Sequence, residues 1–242
     1  MLSHQADMNW KLYILLIAFF IVSVSCKEEP SDQNNKVTVK GKKQPTKKVK
    51  KNSKAIIKSP DSINHKNAID YLIAYGDNNK ANKVLLKTRL GDITVQLYED
   101  TPLHRANFIF LSEVGYFNTT CFHRVVPDFI VQGGNAENFN TLRIRNKYEN
   151  YTIPPEFRDH RKHKYGALAA ARDWEDNPSK KSNPFEFYII QGKQGAYHLD
   201  GEHTVFGEVI SGFGVLDKIA NLKAGRDQWP LNDVFINAKV IN

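Results

Sequence analysis

"FHRVVPDFIVQGGN", residues 122–135, is the stretch whose reading decides the fold. Phe122, Val125, Val126, Phe129, Ile130 and Val131 are the residues of buried strands, suited to a pleated surface. Arg124 and Gln132 interrupt these apolar runs, and Gly133-Gly134 closes them, as a turn or as a place where another segment passes close to the backbone. A strand pair built for a core has no use for a guanidinium and an amide.

The flanking sequence shows what such a pair belongs to. Residues 83–100, "KVLLKTRLGDITVQLYED", read as two strands around a turn at Leu90-Gly91-Asp92. Thr101-Pro102 opens a helix with Leu103, Ala106, Asn107, Phe110, Leu111 and Val114 on one face, ended by Gly115. A second helix is expected over 213–223, through Val215, Leu216, Ile219 and Leu222. Short β-rich runs cover 122–132, 166–172, 185–191, 204–210 and 233–241, the last alternating Val234, Ile236, Ala238 and Val240. Many short strands with two substantial helices point to a mainly β fold: a closed antiparallel barrel whose ends the helices cap. Ahead of it, "SINHKNAIDYLIAYG" (62–76) reads as a short helix outside the main domain, with Gly76 as its stop.

The chain of 242 residues has a net charge of +8, which would hint at nucleic acid if it were spread over a folded surface. It is not. The eleven lysines between 27 and 58, set against Glu28, Glu29 and Asp32, account for all of it. The rest of the chain is neutral, so no nucleic-acid partner is expected. Residues 27–54 are polar and nearly devoid of large apolar groups, the composition of a disordered tether. Its lysines are either a solvated spacer or a contact for anionic lipid and other polyanions.

Before the tether, "LYILLIAFFIVSVS" (12–25) has the apolar core and small-residue exit of a secretory signal and is short for a membrane span. With Cys26 directly after it, this resembles the signal peptide of a bacterial lipoprotein, so Cys26 is expected to carry the lipid; the alternative reading is an uncleaved amino-terminal anchor. Ser23 departs from the usual Leu or Val three residues before the cysteine, and Met8 is a better-placed start than Met1. The expected organisation is a signal peptide (1–25), a lipidated, lysine-rich tether (26–61), a helical extension (62–82) and a β domain (83–242). The setting is the cell envelope, anchored to the outer membrane on its periplasmic or outer face; "CKEE" (26–29) resembles a surface-export tag. Cys26 and Cys121 make no disulfide framework. "RDHRKHK" (158–164) has two histidines without metal-ligand spacing and reads as a solvated loop. Cys121 reads as a small buried hydrophobe rather than a nucleophile.

Residues 84–241 resemble a cyclophilin, the family of barrel-fold peptidyl-prolyl cis-trans isomerases. The resemblance is carried by "FHRVVPDFIVQGGN", "GALAAAR" (166–172), "FEFYIIQG" (185–192) and "HLDGEHTVFGEV" (198–209), in the family's order. It implies an eight-stranded barrel, an enzyme that rotates Xaa-Pro peptide bonds in proline-containing polypeptides, a monomer, and no metal or cofactor. It implies that Arg124 is catalytic, donating a hydrogen bond to the prolyl nitrogen. Phe129, Ile130 (for a common methionine), Tyr188 and Leu199 would form the proline pocket, which His203 lines. Gln132 would orient Arg124 and bind the substrate backbone, and Ala171 and Arg172 would offer a strand edge to the peptide. His198 stands where many members carry the tryptophan that helps bind cyclosporin, so weak binding of that drug is expected. Glu186 and Arg172 replace a common glutamine and asparagine; the Glu186 carboxylate would pair with Arg124, competing with substrate, or with Arg172. The polar loop 173–184 is either an ordinary surface loop or a determinant of substrate preference.

By residue type alone, Arg124 equally suits a rim position with its stem packed and its head in water, and Phe129, Tyr188 and Leu199 equally suit a core. The same barrel would also serve as a proline-peptide-binding module or chaperone with little isomerase activity. In a third reading the lysine-rich tether is the functional part.

Overall fold

The computed structural model describes residues 63–148 and 151–241. The expected signal peptide, Cys26 and the expected tether lie outside the described residues. Among the described residues, no helix is long and apolar enough to cross a membrane.

Strand β1 (Lys83–Thr88) turns at Arg89-Leu90 into β2 (Gly91–Leu97), and Pro102 then opens helix α2 (Pro102–Glu113). Proline suits this first turn because its missing N–H would have no intrahelical partner there. The hairpin β3 (Cys121–Val126) and β4 (Ile130–Asn135) follows, then β5 (Ala167–Ala170), β6 (Phe187–Ile190), β7 (Val205–Ser211), α4 (Phe213–Ala220) and β8 (Asn237–Ile241). The eight strands form one antiparallel sheet in the order β3-β4-β6-β5-β7-β2-β1-β8. Helix α2 packs on β7 and β8, and α4 on β2, β3 and β4.

The expected closed barrel is corrected to an open half-barrel. The outer strands β3 and β8 share no ladder; Cys121 of β3 forms an isolated bridge with Phe235, ahead of β8. The chain reaches β3 before β8 begins, in an irregular segment that contributes single bonds: Val125 N to the Gln228 carbonyl (2.9 Å), Phe122 N to Val234 (3.0 Å) and Ile236 N to Thr120 (2.9 Å). The alternation expected over 233–241 survives this irregularity, since Val234, Ile236 and Ala238 are buried.

Two further helices stand outside this frame. Helix α1 (Ala68–Asn78) runs through Gly76, where a stop was expected. A Cβ on Gly76 would lie 3.2 Å from that of Ala106, so the glycine lets α1 approach α2 closely. The buried Arg105 donates to the carbonyls of Gly76 (3.1 Å), Asn79 (2.9 Å) and Ala81 (3.2 Å). A cation here satisfies carbonyls that the helix end leaves unpaired and complements its dipole. Helix α3 (Phe139–Lys147), not anticipated from the sequence, starts at Asn138, whose side chain accepts from Thr141 N (3.0 Å).

Candidate functional site

The two faces of the sheet have separate apolar clusters, and strand alternation decides which residue joins which. Leu168, Phe187, Ile189 and Val131 enter the main core with Phe108, Phe122 and Phe206. Their neighbours Ala167, Ala169, Tyr188, Ile190 and Ile130 join Leu199 and Val205 on the other face, with Phe129 and Ala171 packed against them. That second cluster is the floor of the site.

Strict alternation would place Phe122 and Arg124 on one face. Phe122 is opposite Gly133 and Arg124 opposite Gln132, however, so His123 is an extra residue on β3. This bulge lets Phe122 point into the core while Arg124 comes out beside Gln132. Gly133-Gly134 belongs to β4 rather than to a turn. A Cβ on Gly134, at φ +98°, would fall 2.1 Å from the Phe185 carbonyl oxygen, so only glycine lets β4 pass the approach to β6.

Arg124 and Gln132 stand at one side of a pocket of about 500 Å³. Ile130, Tyr188 and Leu199 are buried in its floor, and Phe129, Ala171 and His203 complete the apolar lining. The exposed His198 stacks on Phe129, with ring centroids 5.9 Å apart. His203 bonds the Ala170 carbonyl through Nδ1 (3.0 Å); burial pushes it down to about 4, so it is a neutral lining group at physiological pH. Tyr188 places its hydroxyl 3.1 Å from Nε2 of the fully buried His163, whose Nδ1 lies 2.8 Å from Asp200. Burial lowers the His163 pKa despite the bonds to Asp200 that raise it, and raises that of Tyr188. The sequence places His163 in a solvated loop; the loop's exposed histidine is instead His160, paired with Asp100 at 2.9 Å.

The polar residues make different partners from those expected. Arg124 is not oriented by Gln132. Its Nε donates to Gln228 Oε1 at 2.6 Å. Gln132 instead donates from Nε2 to Glu186 (3.1 Å). Glu186 pairs with neither Arg124 nor Arg172. Its carboxylate takes Arg145 of α3 at 2.8 Å, with His123 Nε2 3.6 Å away. Burial pushes the Glu186 carboxyl up, but the bonds from His123 and Arg145 outweigh it and hold it below the usual range. Glu186 thus stands behind Gln132, outside the pocket lining. Arg172 is held by Glu202 (2.7 Å) and lies 4.1 Å over the ring of Trp174. Ala171 does not offer a free strand edge: its N–H bonds the Glu186 carbonyl (3.1 Å) and its carbonyl accepts from Asn183 (2.8 Å), while β5 is flanked on both sides.

Trp174, Gln228, Arg145 and His163 are the neighbours that sequence reasoning missed. Trp174 is 62% exposed at the pocket mouth, 5.2 Å from His203, and a lone tryptophan in the polar loop 173–184 was a usable signal. Gln228 and Arg145 carry no local signal, because they reach the site from distant turns of the chain. Among the described residues, no group of three or more His, Cys, Asp or Glu comes together to hold a metal.

Residues 83–240 match the family model for cyclophilin type peptidyl-prolyl cis-trans isomerases. The chain belongs to the cyclophilin family. A peptidyl-prolyl cis-trans isomerase-like 3 of Dictyostelium discoideum is 34% identical over 161 residues, covering 66% of this chain and 94% of that one. A putative bifunctional phosphatase/peptidyl-prolyl cis-trans isomerase of Streptococcus pyogenes is 31% identical, and the match spans 66% of this chain but 38% of that longer protein. The fold is that of the Cryptosporidium parvum cyclophilin type isomerase, crystallised in the presence of the dipeptide Ala-Pro. The two share 24% identity with a TM-score of 0.55, over 66% of this chain and 99% of the other. This cyclophilin is a peptidyl-prolyl cis-trans isomerase, with proline-containing peptides as its substrate class.

Proposed function

We propose that Arg124 is the catalytic residue of this isomerase and that the pocket beside it takes the substrate proline. The observation that carries the reading is a guanidinium and an amide, Arg124 and Gln132, at the edge of a pocket of about 500 Å³ with a largely apolar floor, whose other lining cation, Arg172, is already paired with Glu202. Amide resonance opposes rotation of the Xaa-Pro bond with a barrier of about 18–20 kcal/mol. No covalent bond is broken. As the amide twists, the prolyl nitrogen becomes pyramidal and regains its lone pair, which a guanidinium N–H binds. The planar amide has no such lone pair to offer, so the interaction favours the transition state over the ground state. A guanidinium is also a fixed cation with a planar fork of donors, which suits this role. The proline ring rests on Phe129, Ile130, Tyr188 and Leu199. Gln132, with its amide N–H turned to Glu186, presents its carbonyl oxygen to the substrate backbone.

Exchange NMR on an Ala-Pro peptide with the full-length chain in mild detergent tests this. Arg124→Ala is expected to lower the catalysed exchange about 100-fold with circular dichroism unchanged; activity within twofold of the parent would refute the role. Binding without catalysis by the parent chain would make the half-barrel a proline-binding module.

The same protein is proposed to work in the cell envelope as a lipoprotein attached to the outer membrane through Cys26, the lysine-rich tether holding the isomerase clear of the bilayer. The support is the run at 12–25 ending at Cys26 and the polar composition after it. Clients would be proteins folding outside the cytoplasm, served by a monomer. Cys26→Ala should abolish labelling by a palmitate analogue and release the protein from membranes; an unchanged membrane partition would sink the idea.

A further inference from the structure

Arg124 touches the pocket, but what aims it is not in the pocket. Its Nε–H is directed to Gln228 Oε1 at 2.6 Å, a contact between residues 104 positions apart. Gln228 sits in a tight turn: its N–H bonds the Gly225 carbonyl (3.0 Å), and Gly225 N–H bonds the Trp229 carbonyl (2.8 Å). Trp229 Nε1 is held by Asp233 (2.9 Å), and its ring lies 5.6 Å from that of His123, the bulge residue beside Arg124. The Gln228 carbonyl accepts from Val125 N–H (2.9 Å), so both its backbone and its side chain grip β3 at the catalytic position. Gln228 adopts φ +67°, a left-handed conformation that costs a non-glycine residue energy and persists where its surroundings hold it.

We propose that Gln228 is a positioning residue for catalysis, holding the Arg124 guanidinium by Nε so that its Nη groups face the substrate amide. This rests on the reading of Arg124 as the catalytic residue. A guanidinium is a rigid planar fork, so fixing Nε fixes the plane and direction of the remaining donors. A donor already aimed where the nitrogen lone pair develops needs no reorganisation as the bond rotates. Substrate binding by the apolar pocket does not depend on this contact. Loss of Gln228 therefore lowers kcat and leaves KM nearly unchanged.

The left-handed backbone supplies a clean test. Gln228→Gly removes the side chain while glycine accepts this φ without strain, so the turn keeps its shape and the relief offsets part of the lost hydrogen bond, leaving Tm little changed. The expected result is a kcat about tenfold lower with KM within twofold. The Arg124 Nε–Hε cross-peak, identified by its loss in Arg124→Ala, should collapse into the band of solvent-exposed arginines. Gln228→Glu, which keeps an acceptor oxygen at the same reach, should retain the displaced cross-peak and exceed the Gln228→Gly variant in kcat. An unchanged cross-peak or an unchanged kcat in Gln228→Gly overturns the proposal. Arg124→Ala with full activity overturns the reading of Arg124 and this one with it; an inactive Arg124→Ala beside a fully active Gln228→Gly overturns this one alone.

Discussion

Arg145→Ala removes the cation from a carboxylate that cannot reach much water. The Arg145 and Glu186 side chains are 24% and 15% exposed, and their N–O distance is 2.8 Å. Removing one partner of a buried pair costs about 3–5 kcal/mol, whereas an exposed pair is worth about 0–1 kcal/mol. Glu186 keeps the Gln132 amide at 3.1 Å and His123 Nε2 at 3.6 Å, which compensate in part. Arg145 also donates through Nε to the Tyr116 hydroxyl (2.7 Å) and lies 5.3 Å over the Phe185 ring. The cation–π contact adds about 0.5–1 kcal/mol. The expected loss is therefore about 3 kcal/mol, read from urea unfolding by circular dichroism at neutral pH. Adding Glu186→Gln removes the stranded charge and should restore about half of that loss. The pH dependence has a definite sign. The folded Glu186 pKa is depressed, so the pair stabilises above the ordinary glutamate range and loses its contribution as the pH falls through the folded value. The difference between parent and Arg145→Ala should accordingly shrink in acid. A double variant less stable than Arg145→Ala, or a single-variant loss under about 0.5 kcal/mol, would show that Arg145 does not neutralise Glu186.

Two other expectations concern the pocket. His203 is depressed from 6.5 to about 4, chiefly by burial, so the unfolded chain binds its proton first as the pH drops. Its contribution is complete above about pH 6.5 and lost on the way to pH 4, up to about 3 kcal/mol; His203→Phe should flatten the stability profile over that window, and an unaltered slope would refute a buried neutral imidazole. His198 offers an exposed imidazole stacked on Phe129 where an indole would present a larger face and an N–H donor. His198→Trp should tighten cyclosporin binding, measured by calorimetry, about tenfold with kcat nearly unchanged, and equal affinities would remove His198 as a determinant of cyclosporin affinity.

How much of the site was legible depended on whether a residue's role is set by its own strand. Tyr188 and Ile130 were legible because alternation within β6 and β4 carries them to the outer face. Arg124 stood out as a charge inside an apolar run, yet simple alternation would have put it on the face of Phe122, and the bulge that separates them shows in the pairing register alone. The partners of the charges were not legible. Glu186 had two sequence-level candidates, and the residue that takes it, Arg145, lies on a helix the sequence did not announce. That helix turns Phe139 and Leu142 to solvent and buries Thr141, so it lacks the inward apolar stripe by which periodicity finds helices.

The sequence by itself determined the family, the strand inventory and most of the residues that line the pocket, because strand alternation and a dense local motif are short-range properties. Only the tertiary structure decided that the sheet stays open between β3 and β8, that Glu186 is neutralised behind Gln132, and that Arg124 is aimed by Gln228. Each of these is a contact between segments far apart in the chain. Such contacts are settled by how the segments pack, and a side chain's reach of a few ångströms then selects one partner among several of equal charge and chemistry.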